Sequence, residues 1–331
     1  MTSYRDAGVD LDVHSKMHRL AKRVVLETGA NLGKYASSIT FQGVELVLHV
    51  DGVGTKTLVL ERLGKLWVAG WDCVLMNTND VACDGAKPIA VADYIALPRS
   101  DENLFKQVIN GIERAVKELN LVLLGGETAI LPDLANGVDV VCTVLAFKDR
   151  QVVNEARIGD KLYGLPSNGL HANGYSLVRK IIREKLKDNY RAVVDGVNLE
   201  LELAKPVANY TSFLLEAWNR KLIHAAAHIT GGGFTKIKRI LPRGATAYLK
   251  VPEPPQIFKL MIKLGSIKLW EAYRVFNMGI GLVIAADQNA EKELRRLAKQ
   301  HGYNLIELGH VYRDSRENII VETWVGEKLV Y

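Results

Sequence analysis

The alternation of strand-like and helix-like segments along the chain is the feature that most constrains its fold. Short apolar runs predict strands, and apolar residues at helical spacing predict helices between them. In the first half the predicted strands cover residues 44–50, 89–97 and 138–147, and the predicted helices cover 15–27, 67–83 and 102–119. Strands mixed with helices at this spacing indicate α/β layers, in a mixed α+β arrangement, rather than an all-helical or all-β chain.

Length and a change in composition suggest how the chain is divided. With 331 residues it is long enough for two domains, although a single large domain is also compatible. The sequence turns polar between residues 149 and 159, so we predict one domain over residues 1–150 and a second over 151–331. In the second half the predicted strands are 161–165, 246–251, 279–286, 305–312 and 318–323, and the predicted helices are 175–184, 206–219, 233–240, 255–263 and 289–301.

The charge of the chain suits a phosphate-bearing ligand. It has 43 Lys and Arg against 37 Asp and Glu, a formal charge of +6, with a pI near 9.0. This excess is too small and too scattered to indicate nucleic-acid binding, and no such partner is expected. The densest basic stretches, 179–187 and 236–239, are interpreted as solvated faces of helices.

Cysteine content and hydropathy favour a cytoplasmic protein without a membrane span. Cys73, Cys83 and Cys142 are odd in number and lack C-x-x-C spacing, so neither a disulfide framework nor a zinc site is expected. No apolar run approaches the ~18 residues that would cross a bilayer. The amino terminus also lacks an apolar signal core. We therefore expect a reducing cytoplasm and no membrane partner.

One predicted strand ends in a turn with the sequence D-G-V-G-T-K, residues 51–56. In such a turn Asp51 can bind a divalent cation. The backbone around Gly52 and Gly54 offers bare N–H groups to a polyphosphate, and Thr55 and Lys56 add a hydroxyl and an ammonium group. The segment suggests nucleotide-triphosphate chemistry, although it is not the Walker fingerprint. A hairpin turn with one solvated Asp is the alternative.

Further carboxylates and amides follow predicted elements of the first half. Asn79 and Asp80 lie near the end of the helix predicted over 67–83, and Glu127 follows an apolar strand at 121–124. Ligands of α/β folds gather beyond the carboxyl ends of strands, where Asp51 and Glu127 are expected. As hard oxygen donors, Asp51, Asp80 and Glu127 fit Mg²⁺ as a set. Taken singly, each is more often a cap or turn residue.

Two glycine-bearing loops of the second half carry histidines. His171 and Asn173 lie in S-N-G-L-H-A-N-G-Y-S, residues 167–176, and His228 lies in A-H-I-T-G-G-G, residues 227–233. Such loops can bind an anion, and a histidine within them can transfer a proton near neutral pH. A lone loop histidine, however, is usually structural or merely exposed.

Two weaker candidates lie outside these loops. Asn277, in F-N-M-G-I-G, can donate its side-chain amide to a ligand or simply cap a turn. Lys22, on the first predicted helix, can reach a phosphate or be an ordinary surface lysine. Pattern alone favours the surface lysine.

With these segments side by side, the chain closely resembles the aminoimidazole ribonucleotide synthetases, the phosphoribosylformylglycinamidine cyclo-ligases of the purine pathway. The matching stretches occur in family order over nearly the whole chain. They are Y-R-D-A-G-V-D (4–10), D-G-V-G-T-K (51–56), residues 70–88 with Asn79-Asp80, Asp93-Tyr94, G-G-E-T-A (125–129), H-A-N-G-Y-S-L-V-R (171–179), A-H-I-T-G-G-G (227–233) and Y-R-V-F-N-M-G-I-G (273–281).

The resemblance implies two α/β domains, with amino-terminal strands of two subunits joined in the barrel of a homodimer. It implies ring closure of formylglycinamidine ribonucleotide to aminoimidazole ribonucleotide, with conversion of ATP to ADP and phosphate. The expected route transfers the γ-phosphoryl group to the formyl oxygen. An amidine nitrogen then attacks the activated carbon, and phosphate departs.

Given this resemblance, we assign each candidate residue a role in the reaction. Mg²⁺ is expected on Asp51, Asp80 and Glu127, while Lys22 and Lys56 support the triphosphate. His171 and His228 transfer protons or stabilise the phosphorylated intermediate. The predicted cofactor-binding set is Lys56, Thr55, Gly52, Gly54, Asn79, Asn173 and Asn277, and the predicted catalytic set is His171, His228 and Lys22.

The chain departs from the family pattern at Gly29–Ser38, where the family has more glycines and where Lys34 is a candidate replacement cation. Other departures are Ile130, Asp133 and Ala172. The alternatives are another ATP-using enzyme of the superfamily, such as selenophosphate synthetase, thiamine monophosphate kinase or formylglycinamidine ribonucleotide synthetase, or a dimeric nucleotide-binding regulator without activity. The absence of an amino-terminal Cys argues against selenophosphate synthetase. The retained polar set argues against the inactive regulator.

Overall fold

The computed structural model describes residues 3–148 and 152–331 and has the predicted mixed α/β class. The strands are β1 (Ser38–Phe41), β2 (Val44–Gly52), β3 (Lys87–Leu97), β4 (Val122–Ile130), β5 (Asp139–Lys148), β6 (Lys161–Pro166), β7 (Val193–Val194), β8 (Val197–Asn198), β9 (Ala225–His228), β10 (Ala245–Lys250), β11 (Ile280–Ala286), β12 (Ile306–Arg313), β13 (Ile319–Glu322) and β14 (Lys328–Val330). The α-helices are α1 (Leu11–Glu27), α2 (Lys56–Leu63), α3 (Trp67–Cys83), α4 (Glu102–Glu118), α5 (Tyr175–Leu186), α6 (Leu199–Leu203), α7 (Thr211–Asn219), α8 (Gln256–Gly265), α9 (Leu269–Val275) and α10 (Glu291–Gln300). Short 3₁₀ helices cover Arg5–Ala7, Gly233–Ile240 and Gln288–Ala290.

The first half contains a five-stranded sheet in the order β1-β2-β5-β3-β4, in which β3 and β4 are parallel and the other neighbours antiparallel. Helix α3 packs on one face of this sheet, and α4 packs on α3. Two glycines let these helices approach closely. A Cβ on Gly70 would lie 2.0 Å from the carbonyl oxygen of Val108, and one on Gly111 would lie 1.8 Å from that of Trp67.

The second half contains a seven-stranded sheet in the order β14-β13-β10-β12-β6-β11-β9. Apolar residues of α5, α8 and α9 pack with one set of its side chains. Those of α7 and α10 pack with another. Strands β7 and β8 form a separate small hairpin. Helices on both faces explain why β11 is buried at every position.

Helix α3 joins the two halves. Nearly all of its residues are buried, because the five-stranded sheet covers one side and α7 and β9 cover the other. The indole Nε1 of Trp218 donates to the carbonyl oxygen of Ala82 at 3.0 Å, and Thr211 Oγ1 donates to Thr78 Oγ1 at 3.0 Å. The last turns of α3, which carry Asp80, therefore lie at the junction.

The structure changes several predicted elements. Strand β4 continues through the glycine pair at 125–126, so Glu127 lies inside a strand instead of after one. The segment 233–240 is a 3₁₀ helix, and α1 has no buried residue. The predicted domain boundary falls partly on residues 149–151, which lie outside the described residues. The division at 150 therefore stays a proposal, although one sheet precedes it and the other follows it.

The expectation of no disulfide was wrong. Cys73 of α3 and Cys142 of β5 are bonded, with their Cα atoms 5.5 Å apart. They are separated by 69 residues in sequence, so only the packing of α3 on the sheet brings them together. Cys83 is free and buried. Within residues 3–148 and 152–331, no helix has both the length and the apolar character needed to cross a membrane.

Candidate active site

The centre of the candidate site is a hydrogen-bonded pair formed by Asp80 of α3 and His228 of β9. His228 Nδ1 lies 2.7 Å from Asp80 Oδ1, and the histidine side chain is fully buried. A carboxylate only accepts hydrogen bonds, so Nδ1 carries the hydrogen. The buried Nε2 of His228 has no partner in the described part of the chain. The pair is thus an oriented imidazole whose second nitrogen is free to exchange a proton with a ligand.

His49 of β2 supports the same carboxylate and was not singled out in the sequence. Its Nε2 lies 3.7 Å from Asp80 Oδ2, and its Nδ1 lies 2.7 Å from Asn77 Oδ1. Asn77 in turn donates to the carbonyl oxygens of Asp51 at 3.3 Å and Cys142 at 3.1 Å. Helix α3 and strand β2 are therefore tied together beside Asp80.

These contacts keep Asp80 ionised. Burial alone would raise its pKa, but the hydrogen bond from His228 and the charges of His228 and His49 outweigh burial and lower the pKa. Asp80 therefore carries a negative charge at neutral pH, and that charge can stabilise a protonated His228.

Asp51 lies beside Asp80, but its pKa is shifted in the opposite direction. Burial, followed by the charge of Asp80, raises the pKa of Asp51, although its Oδ1 accepts a hydrogen bond from the Gly52 N–H at 2.8 Å. Two carboxylates that repel each other form a site that a dication would stabilise. Mg²⁺ commonly takes one or two protein carboxylates and completes its shell with water and phosphate oxygens. The donors present therefore fit Mg²⁺ with Asp51 and Asp80.

The structure does not bring Glu127 to these two carboxylates. Asp51 pairs across the sheet with Cys142, which pairs with Asp93, which pairs with Gly126. Residues paired in this way share a face, so Glu127, one position further, lies on the opposite face. It is also exposed on the edge strand, with two strands between β4 and β2. Within the described residues of one chain, no cluster of three metal-binding side chains forms.

His171 is the second buried histidine of the site, with its ring centroid 6.2 Å from that of His228. Its Nε2 accepts from the Asn168 N–H at 3.1 Å and the Ala208 N–H at 3.5 Å, which assigns the hydrogen to Nδ1. That Nδ1 is buried without a partner among the described residues. Burial, with the positive charges of His228 and Lys56, lowers the pKa of His171 well below its usual range. His171 is therefore a neutral hydrogen-bond donor.

Two further residues shape the surroundings of the histidines. The side-chain Nδ2 of Asn173 is also buried without a described partner, consistent with its predicted ligand role. A Cβ on Gly281 would lie 2.0 Å from the Tyr210 hydroxyl and 2.7 Å from His171 Cε1. Only glycine at 281 therefore allows the rings of Tyr210 and His171 to lie this close to the backbone of β11.

Lys56 is not available to a phosphate in this structure. It is fully buried, with Nζ 2.6 Å from Asp72 Oδ2 and 2.7 Å from the carbonyl oxygen of Lys205. It also lies over the ring of Tyr175. The neighbouring Thr55 hydroxyl lies 3.1 Å from the hydroxyl of Ser176. The turn after β2 therefore anchors the two halves to each other, and its lysine acts within the protein.

Asn79 and Asn277 are likewise occupied by the protein. Asn79 Oδ1 accepts from the Tyr210 N–H at 2.8 Å, and its Nδ2 donates to the carbonyl oxygen of Ala208 at 2.9 Å. Asn277 accepts from Ser167 Oγ at 2.8 Å and donates to the carbonyl oxygen of Gly169 at 3.0 Å. These amides position loops of the second half rather than presenting free groups to a ligand.

Two other predicted cations, Lys34 and Lys22, form no hydrogen bond or ion pair with Asp80 or His228 in the described part of the chain. Lys34 forms an ion pair with Glu155 at 3.1 Å. Its loop is held to α3 because Asp84 accepts from the Tyr35 and Ala36 N–H groups at 2.8 and 2.9 Å. Lys22 is exposed on α1.

Lys236, which follows the His228 loop, is a cation that the sequence interpretation did not single out. The stretch 236–239 was interpreted as solvated, and Lys238 and Arg239 are indeed exposed, but Lys236 is partly buried. Burial, followed by the charge of Arg239, lowers its pKa to about 8, while Asp80 and Asp51 act in the opposite direction. The lysine is therefore close enough for its charge to interact with both carboxylates.

The two halves of the chain match the models of a known family of proteins. A family model described as the N-terminal domain of AIR synthase related protein matches residues 33–147, and that of the C-terminal domain matches residues 157–322. The chain therefore belongs to the AIR synthase related family.

Curated relatives narrow the class to one activity. A protein of Saccharolobus solfataricus is 41% identical over 98% of each chain, and one of Pyrococcus furiosus is 36% identical over 100% of each. Both are named phosphoribosylformylglycinamidine cyclo-ligase. These names confirm the predicted enzyme class, a cyclo-ligase that forms a C–N bond.

Solved structures of other enzymes share the fold at low identity. Thiamine monophosphate kinase of Aquifex aeolicus aligns with a TM-score of 0.63 and 16% identity, covering 94% of this chain and 97% of the kinase. The hydrogenase maturation protein HypE, in complex with ATP, aligns with a TM-score of 0.62 and 15% identity over 88% and 85%. At such identities the likeness shows the fold alone.

Proposed function

We propose that the chain uses ATP to close the imidazole ring of formylglycinamidine ribonucleotide, and that the Asp80–His228 pair carries the proton transfer. The supporting observation is that His228 Nε2 and His171 Nδ1, both buried without a described partner, belong to rings 6.2 Å apart, and that His228 is bonded to Asp80, the neighbour of Asp51. Polar atoms buried without partners are costly, so their presence indicates a ligand that satisfies them.

Ring closure requires a proton to leave the attacking amidine nitrogen. His228 Nε2 accepts that proton in our proposal, and ionised Asp80 stabilises the imidazolium that results. General acid–base catalysis of this kind contributes typically ~10²–10⁴-fold. Asp80 also holds the ring so that Nε2 faces the substrate.

His171 stabilises negative charge rather than moving a proton. Its neutral Nδ1–H is a preformed, buried donor, and a hydrogen bond from such a donor to a developing anion is strong. The anion is the formyl oxygen as it is phosphorylated, or the phosphate as it departs. Asn173 donates its amide to the same group.

Asp51 and Asp80 would hold Mg²⁺ next to the glycine turn at residues 52–55. The ion supplies neutralisation of the triphosphate charge when bound. In this turn the Gly52 N–H donates to Asp51 Oδ1 and the Thr55 hydroxyl lies 3.1 Å from that of Ser176, so both groups already have partners in the protein. Glu127, Lys56, Asn79, Asn277 and Lys22 receive no role in this arrangement.

A homodimer is the second part of the proposal. The face of the five-stranded sheet opposite α3 is apolar and bare, with Leu48, Val50 and Val122 each more than half exposed. A second copy would cover it by pairing the same face. Sedimentation should show a dimer that Leu48→Asp dissociates, whereas Val193→Asp, an equally exposed site on the β7–β8 hairpin, leaves the dimer intact. A wild-type monomer would refute the dimer.

The activity is tested by incubating the protein with formylglycinamidine ribonucleotide, ATP and Mg²⁺ and measuring the imidazole product and ADP. The proposal predicts equal amounts of both. ADP formation without an imidazole product would instead favour a kinase of the same fold. A native circular dichroism spectrum without any nucleotide turnover would indicate a non-catalytic nucleotide-binding protein.

A further inference from the structure

We propose that Lys236 is the phosphate-binding cation of this site and contacts the phosphoryl group that is transferred. The inference rests on the proposed function, because it places the γ-phosphate of ATP beside Asp51 and Asp80. Of the lysines assigned to phosphate by the sequence, Lys56 and Lys34 each pair with a carboxylate of the protein, and Lys22 is exposed on α1.

Lys236 follows His228 closely in sequence, and its side chain lies over the loop between them. It lies on the 3₁₀ helix Gly233–Ile240, directly after the glycine loop that follows His228. Its side chain folds back over that loop, because Lys236 Cε would lie 3.7 Å from a Cβ placed on Gly232. Lys238, two residues further on the same helix, is exposed to solvent.

Asp80 and Asp51 attract the ammonium group of Lys236, while the neighbouring Arg239 repels it. Lys236 forms no hydrogen bond or ion pair within residues 3–148 and 152–331. A desolvated charge without a direct partner is unfavourable. An anionic group linked to the two carboxylates through a cation would balance the charge of Lys236 and, through that cation, the charges of the carboxylates.

A magnesium-bound phosphoryl group has this character. Its oxygens accept hydrogen bonds from an ammonium group, and the dication binds the carboxylates. Lysine binds phosphate as a compact point charge with three rotatable donors, so it can follow the group as it moves from ATP to the formyl oxygen. The inferred role is neutralisation of charge on the transferring phosphate.

The experiment measures nucleotide binding without the ribonucleotide. Wild type, Lys236→Met and Lys238→Met are titrated by calorimetry with a non-hydrolysable ATP analogue and, separately, with ADP, in Mg²⁺. One charge-assisted hydrogen bond contributes about 1.5–3 kcal/mol. We therefore expect Lys236→Met to weaken the analogue by roughly 10- to 100-fold, while ADP binding stays unchanged and Lys238→Met behaves as wild type. Lys236→Arg should restore most of the loss.

Two results would overturn the assignment. Equal binding of the analogue by wild type and Lys236→Met would remove the phosphate contact. An equal loss of binding affinity for the analogue and for ADP in Lys236→Met would show that Lys236 does not select the transferred phosphoryl group. If Lys236→Met does not fold, Lys236→Gln serves the same comparison. Because no ring closure is measured, failure here is distinct from failure of the proposed function.

Discussion

His228 Nδ1 donates to Asp80 Oδ1 across 2.7 Å, and this bond connects the seven-stranded sheet to the helix that packs on the five-stranded one. The site therefore exists only when the two halves are docked. Asn79 and Thr211 reinforce the docking nearby. Two neighbouring polar residues of α3 thus have different roles. Asn79 holds the two halves together, and Asp80 orients the imidazole of His228.

Asp51→Asn should stabilise the folded protein while removing activity. The pKa of Asp51 is raised in the folded state by burial and by Asp80. The stability associated with its protonation is fully present below about pH 3.9, the unfolded value, and is lost as pH rises through the folded-state pKa. The ionised residue therefore costs stability at neutral pH, and Asn removes that cost.

Thermal unfolding at pH 7 in metal-free buffer checks this prediction, and the Tm of Asp51→Asn should exceed that of the wild type. Turnover with Mg²⁺ should fall by more than roughly 100-fold, because loss of an outer-shell partner alone costs 10–100-fold. A lowered Tm would contradict the repulsion between the two carboxylates, and wild-type turnover would contradict the metal role.

His171→Ala should reduce kcat by a factor that does not change with pH. The pKa of His171 is held well below its usual range, so the residue is neutral from about pH 6.5 to 8.5. Removing one preformed donor to a developing anion costs about 10²–10³-fold. The ratio of wild-type to mutant kcat across this range is the measurement. A ratio that varies tenfold per pH unit would show that His171 titrates and acts as an acid or base.

Lys56→Met should destabilise the protein rather than weaken nucleotide binding. Its ammonium and the Asp72 carboxylate are both fully buried, so removing one partner leaves an uncompensated charge. Breaking such a pair typically costs about 3–5 kcal/mol. Denaturant unfolding measures the loss, and Lys56→Met combined with Asp72→Leu should recover much of it. A normal unfolding free energy together with weakened binding of the ATP analogue would restore the predicted phosphate role.

Much of this site could be predicted from the sequence because chemical type and local spacing were informative. Asp51, Asp80, His171 and His228 stood out as polar residues in glycine turns or at element ends, and the structure brings all four together. The α/β class followed from periodicity alone. Side-chain identity at short range was sufficient to single these residues out, whereas their roles were assigned from the family resemblance.

The rest depended on the packing of residues far apart in sequence. Glu127 lies away from Asp51 and Asp80 within one chain, because β4 extends by several residues and its register turns the carboxylate to the other face. Lys56 looked like a phosphate ligand, but its partner Asp72 lies sixteen positions away on another helix. Lys236 looked solvated because 233–240 has a helical pattern, whereas the residue is partly buried and its side chain lies against Gly232. Cys73 and Cys142 carried no local signal.

The central claim is that His228 can transfer a proton because Asp80 orients its imidazole toward the ligand. His224 provides a matched control, since its Nδ1 lies 2.8 Å from Asp160 Oδ1, in a pair of the same geometry just before the same strand. The deciding measurement is kcat for ring closure by His228→Asn and His224→Asn at saturating ATP, Mg²⁺ and ribonucleotide. We expect a loss of at least ~10²-fold for His228→Asn and near-wild-type turnover for folded His224→Asn. Equal kcat for the two folded variants would contradict the account.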